Sequence, residues 1–250
     1  MKKFNSEFGH NYKTYSFGYA NYCVRDKNDN MTDIYSGGYL PYSGSPGIKD
    51  VFYMARSARV PLSAFTFSSE NRRVAKKFDS KLTRISKPIS GFGINNKEFI
   101  NFCVNYFTKR HGPLLMPEER LRAILKSGLI THIISYRREN NPIAYVFEIS
   151  DKNFTHFWYS FYDPSLAYQS LGMWLMLDSV RHAKNDNKHH FYVGTVYGEK
   201  ALYKTAFNDI EYWNGGEWVS DKKQLKKLGR SDGERMANLT DEWKDKIELF

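Results

Sequence analysis

The stretch from residue 129 to residue 194 limits the fold more than any other part of the chain. Three short apolar runs follow one another there: Leu129-Ile-Thr-His-Ile-Ile-Ser-Tyr136, Ile143-Ala-Tyr-Val-Phe-Glu-Ile149 and Phe154-Thr-His-Phe-Trp-Tyr-Ser-Phe-Tyr162. Their β-branched and aromatic side chains suit a pleated, half-buried surface, so each predicts a strand. Residues 137–141, closing on Asn140-Asn141-Pro142, are polar turn residues and make the first two runs a hairpin. Asp163-Pro164 ends the third run. A helical pattern then covers about Ser170 to Lys184, and His190-Phe-Tyr-Val-Gly194 predicts a fourth strand.

The flanking regions are less regular. Residues 1 to about 50 are rich in Gly, Tyr, Asn and Ser, show little helical periodicity, and predict ordered loops pinned by Tyr39, Leu40 and Tyr42. Arg56–Leu62 predicts a short strand ending near Pro61. Ser68 or Ser69 caps a helix running to Phe78 whose Arg72, Arg73, Lys76 and Lys77 share one face. That face serves either as a solvated surface or as a phosphate-binding one. Phe99, Phe102, Cys103, Tyr106 and Phe107 recur at helical spacing and predict a helix burying that face in the core. A further helix starts at Pro117 and stops at Gly128, and Leu202–Phe207 predicts a short one. The organisation expected is an N-terminal region (1–90), a core (91–220) and a charged helical tail (221–250) that includes Trp243.

Composition removes several classes. Thirty-seven Lys and Arg against 27 Asp and Glu leave a net charge of +10 over 250 residues, which permits a nucleic-acid partner without requiring one. Cys23 and Cys103 are too few and too far apart for a disulfide framework or a thiolate metal site, and predict isolated thiols in a reducing, cytoplasmic setting. The start has no apolar run to act as a signal peptide, and no window has the ~20 apolar residues of a membrane span.

Three strands, a helix and a strand are the order expected in the central part of a GNAT-type acyltransferase, a mixed α/β (α+β) fold with a splayed sheet. Gln169-x-x-Gly172-x-Trp174 partly matches the Q/R-x-x-G-x-G/A loop with which such enzymes grip the pyrophosphate of acetyl-CoA. Trp174 stands where a small residue is wanted. Ser170 and Gly172 would open a helix whose free N–H groups can face an anion or a developing oxyanion.

Phe161-Tyr-Asp-Pro164, Ser170-Leu-Gly172, Ala183-Lys184, Phe191-Tyr-Val-Gly194 and Tyr203-Lys204-x-x-Phe207-x-x-x-Glu211 occur in this order. Upstream stand Gly38-Tyr-Leu-Pro41, Arg59-Val-Pro-Leu-Ser-Ala-Phe-Thr-Phe-Ser-Ser-Glu-Asn-Arg-Arg-Val74 and the pair Arg110-His111. Across most of residues 35–218 the chain resembles the arginyl/leucyl-tRNA–protein transferases. It departs from them in three places. Phe52–Ala58 carries no cysteine where the family has a cysteine cluster, Val193-Gly-Thr195 replaces Leu-Gly-Tyr, and Asp209 replaces a proline.

The resemblance implies a GNAT-like core with a smaller loop-rich N-terminal region; the family's cysteine cluster is implicated in metal or iron–sulfur binding, and without it neither a metal nor a cofactor is expected here. The donor would be aminoacyl-tRNA and the acceptor a protein N-terminus, with arginine the first choice of transferred residue and leucine the second. A neutral α-amine would attack the activated ester, so positioning and oxyanion stabilisation do most of the work. Asp163 and Tyr162 are the candidate catalytic residues, with Asp163 orienting the amine or taking its proton. Ser170, Leu171, Gly172, Tyr203, Lys204, Arg72 and Arg73 are candidates for aminoacyl-tRNA, and Arg59, Arg110 and His111 for the acceptor. For Arg59, Arg72 and Arg73 the sequence does not separate phosphate contact from recognition of an acidic N-terminal residue. An acyl-CoA-dependent N-acyltransferase and a non-catalytic tRNA- or protein-binding relative are the alternatives.

Overall fold

The computed structural model describes residues 1–11, 16–45 and 47–232. The chain opens with an antiparallel pair, β1 (Lys2–Asn11) and β2 (Ser16–Val24). A short helix, α1 (Met31–Ser36), starts where the Asn30 side chain accepts the Thr32 N–H at 3.0 Å. β3 (Tyr39–Pro41) and β4 (Val51–Met54) complete a four-stranded sheet in the order β1-β2-β4-β3. The first fifty residues, expected as ordered loops, therefore pair largely into a sheet. Gly, Asn and Ser dilute the alternation along each strand, so cross-strand pairing rather than local pattern orders them.

Eight further strands build the larger sheet. β5 (Ser57–Pro61) ends at the expected proline. α2 (Ser69–Phe78) follows a reciprocal cap: Ser68 Oγ accepts the Asn71 N–H at 3.0 Å, and Asn71 Oδ1 accepts the Ser68 N–H at 3.1 Å. β6 (Thr83–Pro88) is an edge strand that the sequence reading missed, because its charged residues and Pro88 hide the strand pattern. α3 (Lys97–His111) stops at Gly112, and α4 (Glu118–Leu125) follows Pro117. Then come β7 (His132–Arg138), β8 (Asn141–Ser150) and β9 (Phe154–Tyr162), an antiparallel meander. α5 (Leu171–Asn185) carries the chain across to β10 (His190–Thr195), which runs parallel to β9. Two short strands, β11 (Glu211–Trp213) and β12 (Trp218–Val219), finish the edge.

The order β12-β11-β5-β10-β9-β8-β7-β6 is a mixed sheet with helices packed on it, and its centre has the anticipated β-β-β-α-β order. β5 and β6 precede residue 90 in sequence, yet both are strands of this sheet. Its core is aromatic. The Phe99 and Tyr145 rings lie 4.9 Å apart, and Phe147 and Phe161 4.8 Å. Complete burial of each such phenylalanine contributes about 1.5–3 kcal/mol. Much of the aromatic excess is thus structural. Phe99, Cys103 and Tyr106 of α3 are buried as expected, while Phe102 and Phe107 are partly so. Both cysteines are free and buried, and burial pushes the Cys23 thiol up to about 11. A helix over 222–232 closes the described chain, and the rest of the expected tail, with Trp243, lies outside the described residues. No helix among the described residues is long and apolar enough to cross a membrane.

Candidate active site

β9 and β10 pair only at their starts, over Phe154–His156 and His190–Tyr192, and then separate. Two bulges accompany the split. One lies in β9, where Phe147 faces Tyr159 and Glu148 faces Phe157, leaving Trp158 unpaired. The other lies between Tyr192 and Gly194, where β10 leaves register with β5. A bulge bends its strand and increases the local twist, so the pair opens as a wedge. Gly194 takes φ +82°, which a side-chain-bearing residue adopts only under strain.

The wedge is a cleft of about 290 Å³. Phe157–Ser160 and Val193–Thr195 form its walls, Leu40 and Pro41 of β3 approach from the smaller sheet, and Tyr106, Phe107, Tyr203 and Lys204 complete it. Lys204 Nζ donates to the Thr195 carbonyl at 2.8 Å, and burial pulls its pKa down to about 8. An ammonium carries three donors, so two remain for a ligand. A Cβ at Gly194 would lie 3.5 Å from Lys204 Nζ and 3.7 Å from His156 Nε2, so both groups face the same point of the bulge. His156 Nδ1 and the buried Tyr35 hydroxyl are hydrogen-bonded at 2.9 Å. Burial, with the Lys204 charge adding to it, pushes the His156 imidazole down to about 3. It is therefore neutral at physiological pH, a fixed polar group rather than a base of ordinary strength.

Of the expected residues, His111, Tyr203 and Lys204 line the cleft, while Tyr162 and Gly172 do not line it and pack behind Tyr106. The Tyr106 and Tyr162 rings lie 4.7 Å apart. Tyr203 is exposed over part of its ring, and local desolvation of its hydroxyl, with Tyr162 adding to it, raises the phenol pKa. His111 lines the cleft, where burial and the neighbouring Arg110 and Lys200 charges lower its pKa. A Cβ at Gly172 would sit 3.0 Å from the Tyr162 hydroxyl, so this glycine lets the first turn of α5 close on Tyr162.

Others are placed elsewhere. Asp163 Oδ1 accepts the Ser165 N–H at 2.9 Å, an Asx turn that starts the 3₁₀ segment after Pro164, and Asp163 does not line the cleft. Ser170 takes φ +68° and its hydroxyl caps nothing, while Leu171 is fully buried in the core. The side chain of Gln169 lies outside the described residues. Trp174 is buried, with its indole N–H donating to Asp79 Oδ1 at 2.8 Å. Arg59 is bound by Glu211 at 2.7 Å and lies over Trp218, 4.1 Å from its ring centroid. Two residues of the sequence motifs thus hold β5 to β11. Arg72 donates to the Phe67 carbonyl, and Arg73 is bidentate with Glu70.

The sequence reading missed His156, Tyr35, Trp158 and Tyr159. His156 sits in an otherwise aromatic strand, and its partner Tyr35 is 121 residues away, so no spacing signals the pair.

Residues 98–214 match the sequence profile of the arginine-tRNA-protein transferase C terminus. The match begins at α3 and includes both walls of the cleft. An aspartate/glutamate leucyltransferase from Dinoroseobacter shibae is 27% identical over 180 residues, 65% of this chain and 61% of that protein. One from Nitrosococcus oceani is 28% identical over 170 residues, 64% of this chain and 68% of that protein. The chain thus spans less than two thirds of the length of the Dinoroseobacter transferase. Two solved structures are similar at low identity. FemX has a TM-score of 0.43 at 8% identity, covering 66% of this chain and 59% of that one. L-PGS from Bacillus licheniformis has 0.39 at 14%, covering 71% and 56%.

Proposed function

We propose that this protein moves leucine from charged tRNA to the α-amine of a protein beginning with Asp or Glu. The observation that carries the choice is the lining of the cleft. It combines aromatic and aliphatic side chains with the hydroxyls of Ser43, Ser160 and Thr195 and with Lys204, His111 and His156, and no carboxylate is among the described residues that line it. An arginyl side chain, or a basic acceptor residue, would bring a guanidinium or ammonium into a wall that already holds Lys204. Such a cation would be repelled by Lys204 and would find no carboxylate to pair with. A leucyl side chain meets Tyr106, Phe107 and Met176, and an acidic acceptor finds a cation. Leucine therefore displaces arginine, which the resemblance alone had put first. The curated relatives named above carry the same specificity in their names.

In this mechanism the neutral α-amine attacks the ester carbonyl. Lys204 donates to the tetrahedral oxyanion from a site where one of its protons is already engaged by Thr195, so little reorganisation is needed. Collapse breaks the bond to the ribose oxygen, which leaves with a proton that the amine has lost. The α-amine has a pKa near 7.7–8.0, so a sizeable neutral fraction exists without a strong base.

The test is a panel of leucyl-, arginyl- and methionyl-tRNA against peptides beginning Asp, Glu, Lys, Arg and Met. Transfer of leucine to the Asp and Glu peptides is expected. Arginine transfer with equal or higher kcat/KM would refute the specificity, and no transfer from any charged tRNA would refute the activity.

A further inference from the structure

A second cavity, of about 520 Å³, lies beside the cleft and shares Tyr203 with it. Its floor is the 3₁₀ segment Glu199–Ala206, one wall is the first turn of α2, and the other is the helix over 222–232. Lys222, Lys226 and Arg230 face it from that helix. They are four residues apart, which places the charges about 6 Å from one another along the axis. Lys222 and Lys226 are half-buried and Arg230 is exposed. Burial and the neighbouring Lys226 lower the Lys222 pKa, with Asp209 opposing. No described residue holds any of the three in an ion pair within 4 Å. The carboxylate on the opposite wall, Glu70, is already bound at both oxygens by Arg73, at 2.7 and 2.6 Å.

The helix is fastened so that this stripe keeps its direction. Leu225 is fully buried. At Gly229 a Cβ would lie 2.7 Å from Leu202, so the helix presses closely on the floor. At its end Asp232 takes Arg56 at both carboxylate oxygens, at 2.7 and 2.6 Å, and the Gly198 N–H at 2.8 Å. Arg56 is held in turn by the Val196 carbonyl and lies 4.4 Å from the Tyr197 ring centroid. Among the described residues these three cations have no ion-pair partner, and their helix is fixed along an open groove that leads to the cleft.

Taking the tRNA-dependent activity above as given, we propose that this groove holds the acceptor-stem backbone of the charged tRNA, with Lys222, Lys226 and Arg230 on successive phosphates. The regular one-turn ladder suits a repeating polyanion better than a single acidic residue. The junction at Tyr203 lets one ligand run from groove to cleft, as the stem and its 3′ end do in an aminoacyl-tRNA. All three residues lie beyond the region that matches the family profile.

The test compares two double variants of equal charge change on the full chain: Lys222→Ala with Lys226→Ala, and Lys223→Ala with Lys227→Ala. Lys223 and Lys227 are exposed on another face of the same helix. Binding of uncharged tRNA is measured by fluorescence anisotropy from 50 to 300 mM salt, and melting temperatures confirm that both variants fold. Each lost phosphate contact lowers the slope of log K against log salt by about 0.9, about fivefold in affinity at 0.15 M salt, so about 30-fold for the groove pair. The 223/227 pair is expected to change little. Equal weakening by both pairs, or by neither, overturns the proposal. So does unchanged tRNA binding with a raised KM for the acidic acceptor, which would assign the groove to the protein. Binding needs no catalysis, so a wild type that binds tRNA through the 222/226 pair but transfers nothing refutes the activity and leaves the groove standing.

Discussion

His156 makes a quantitative prediction about acid stability. The imidazole is buried at the root of the cleft and held by Tyr35, with a folded pKa of about 3 against 6.5 for a free histidine. Between those values the unfolded chain binds a proton that the folded chain refuses. Stability from this group is therefore full above pH 6.5, falls as pH drops below it, and stops falling near pH 3. Each pH unit below the free value costs about 1.4 kcal/mol, so about 2 kcal/mol is lost by pH 5. His190, lowered to about 4 by burial and the Arg59 charge, adds to the wild-type slope, and so do other histidines. A difference measurement cancels them. His156→Gln keeps a polar partner for Tyr35 but cannot titrate. At pH 7 it is expected to be less stable than wild type by about 1 kcal/mol, from imperfect packing and an altered hydrogen bond. At pH 5 the gap closes or reverses, because only the wild type has lost the further 2 kcal/mol. Urea unfolding followed by tryptophan fluorescence at pH 7, 6 and 5 measures this. Stability profiles that run parallel across the range would refute the claim that His156 is held neutral by burial.

In the proposed mechanism Lys204 and the acceptor amine set the pH dependence of transfer. The amine must be neutral and the lysine protonated, and burial brings the lysine down to about 8, so kcat/KM is expected to peak near pH 8. Lys204→Arg should remove the alkaline fall, and Lys204→Met should lower kcat/KM by about 10²–10³; an alkaline limb that survives in Lys204→Met would clear the lysine of the role. Asp163→Asn preserves the turn hydrogen bond to Ser165 while deleting the charge. Unchanged transfer is expected, and a large drop at unchanged melting temperature would return the carboxylate to the chemistry. Gly172→Ala would set its Cβ 3.0 Å from the Tyr162 hydroxyl, which the Tyr106 ring hems in, and is expected to cost about 1–3 kcal/mol despite the better helix propensity. Adding Tyr162→Phe should recover part of that loss, and a neutral Gly172→Ala would show that the contact is loose.

Some of the site was legible before any coordinates. Tyr203-Lys204, Arg110-His111 and the Tyr39-Leu-Pro41 segment were singled out by their motifs, and Lys204, Tyr203, His111, Leu40 and Pro41 all line the cleft. The cations were legible only as charges. Arg59 is occupied by Glu211, 152 residues later, and Arg73 by Glu70 on its own helix. The 222–230 ladder, by contrast, passed as an ordinary charged tail. A solvated charge and an unpartnered one on a groove look alike in sequence, because the difference lies in what the fold places across from them.

The order of strands and helices in residues 129–194, the start of α2 and the burial of α3 follow from the sequence by itself. These depend on side chains two to four positions apart, and such neighbours set the period of a strand or a helix. The N-terminal sheet, the parting of β9 from β10, the Tyr35–His156 pair and the fastening of Asp232 to Arg56 came only from the tertiary structure. Each joins segments distant in sequence, and a register shift or a buried hydrogen bond between such segments leaves no periodic trace in either one. The lack of a carboxylate among the described lining residues is likewise a property of the assembled wall, since it rests on which side chains the two parted strands turn inward.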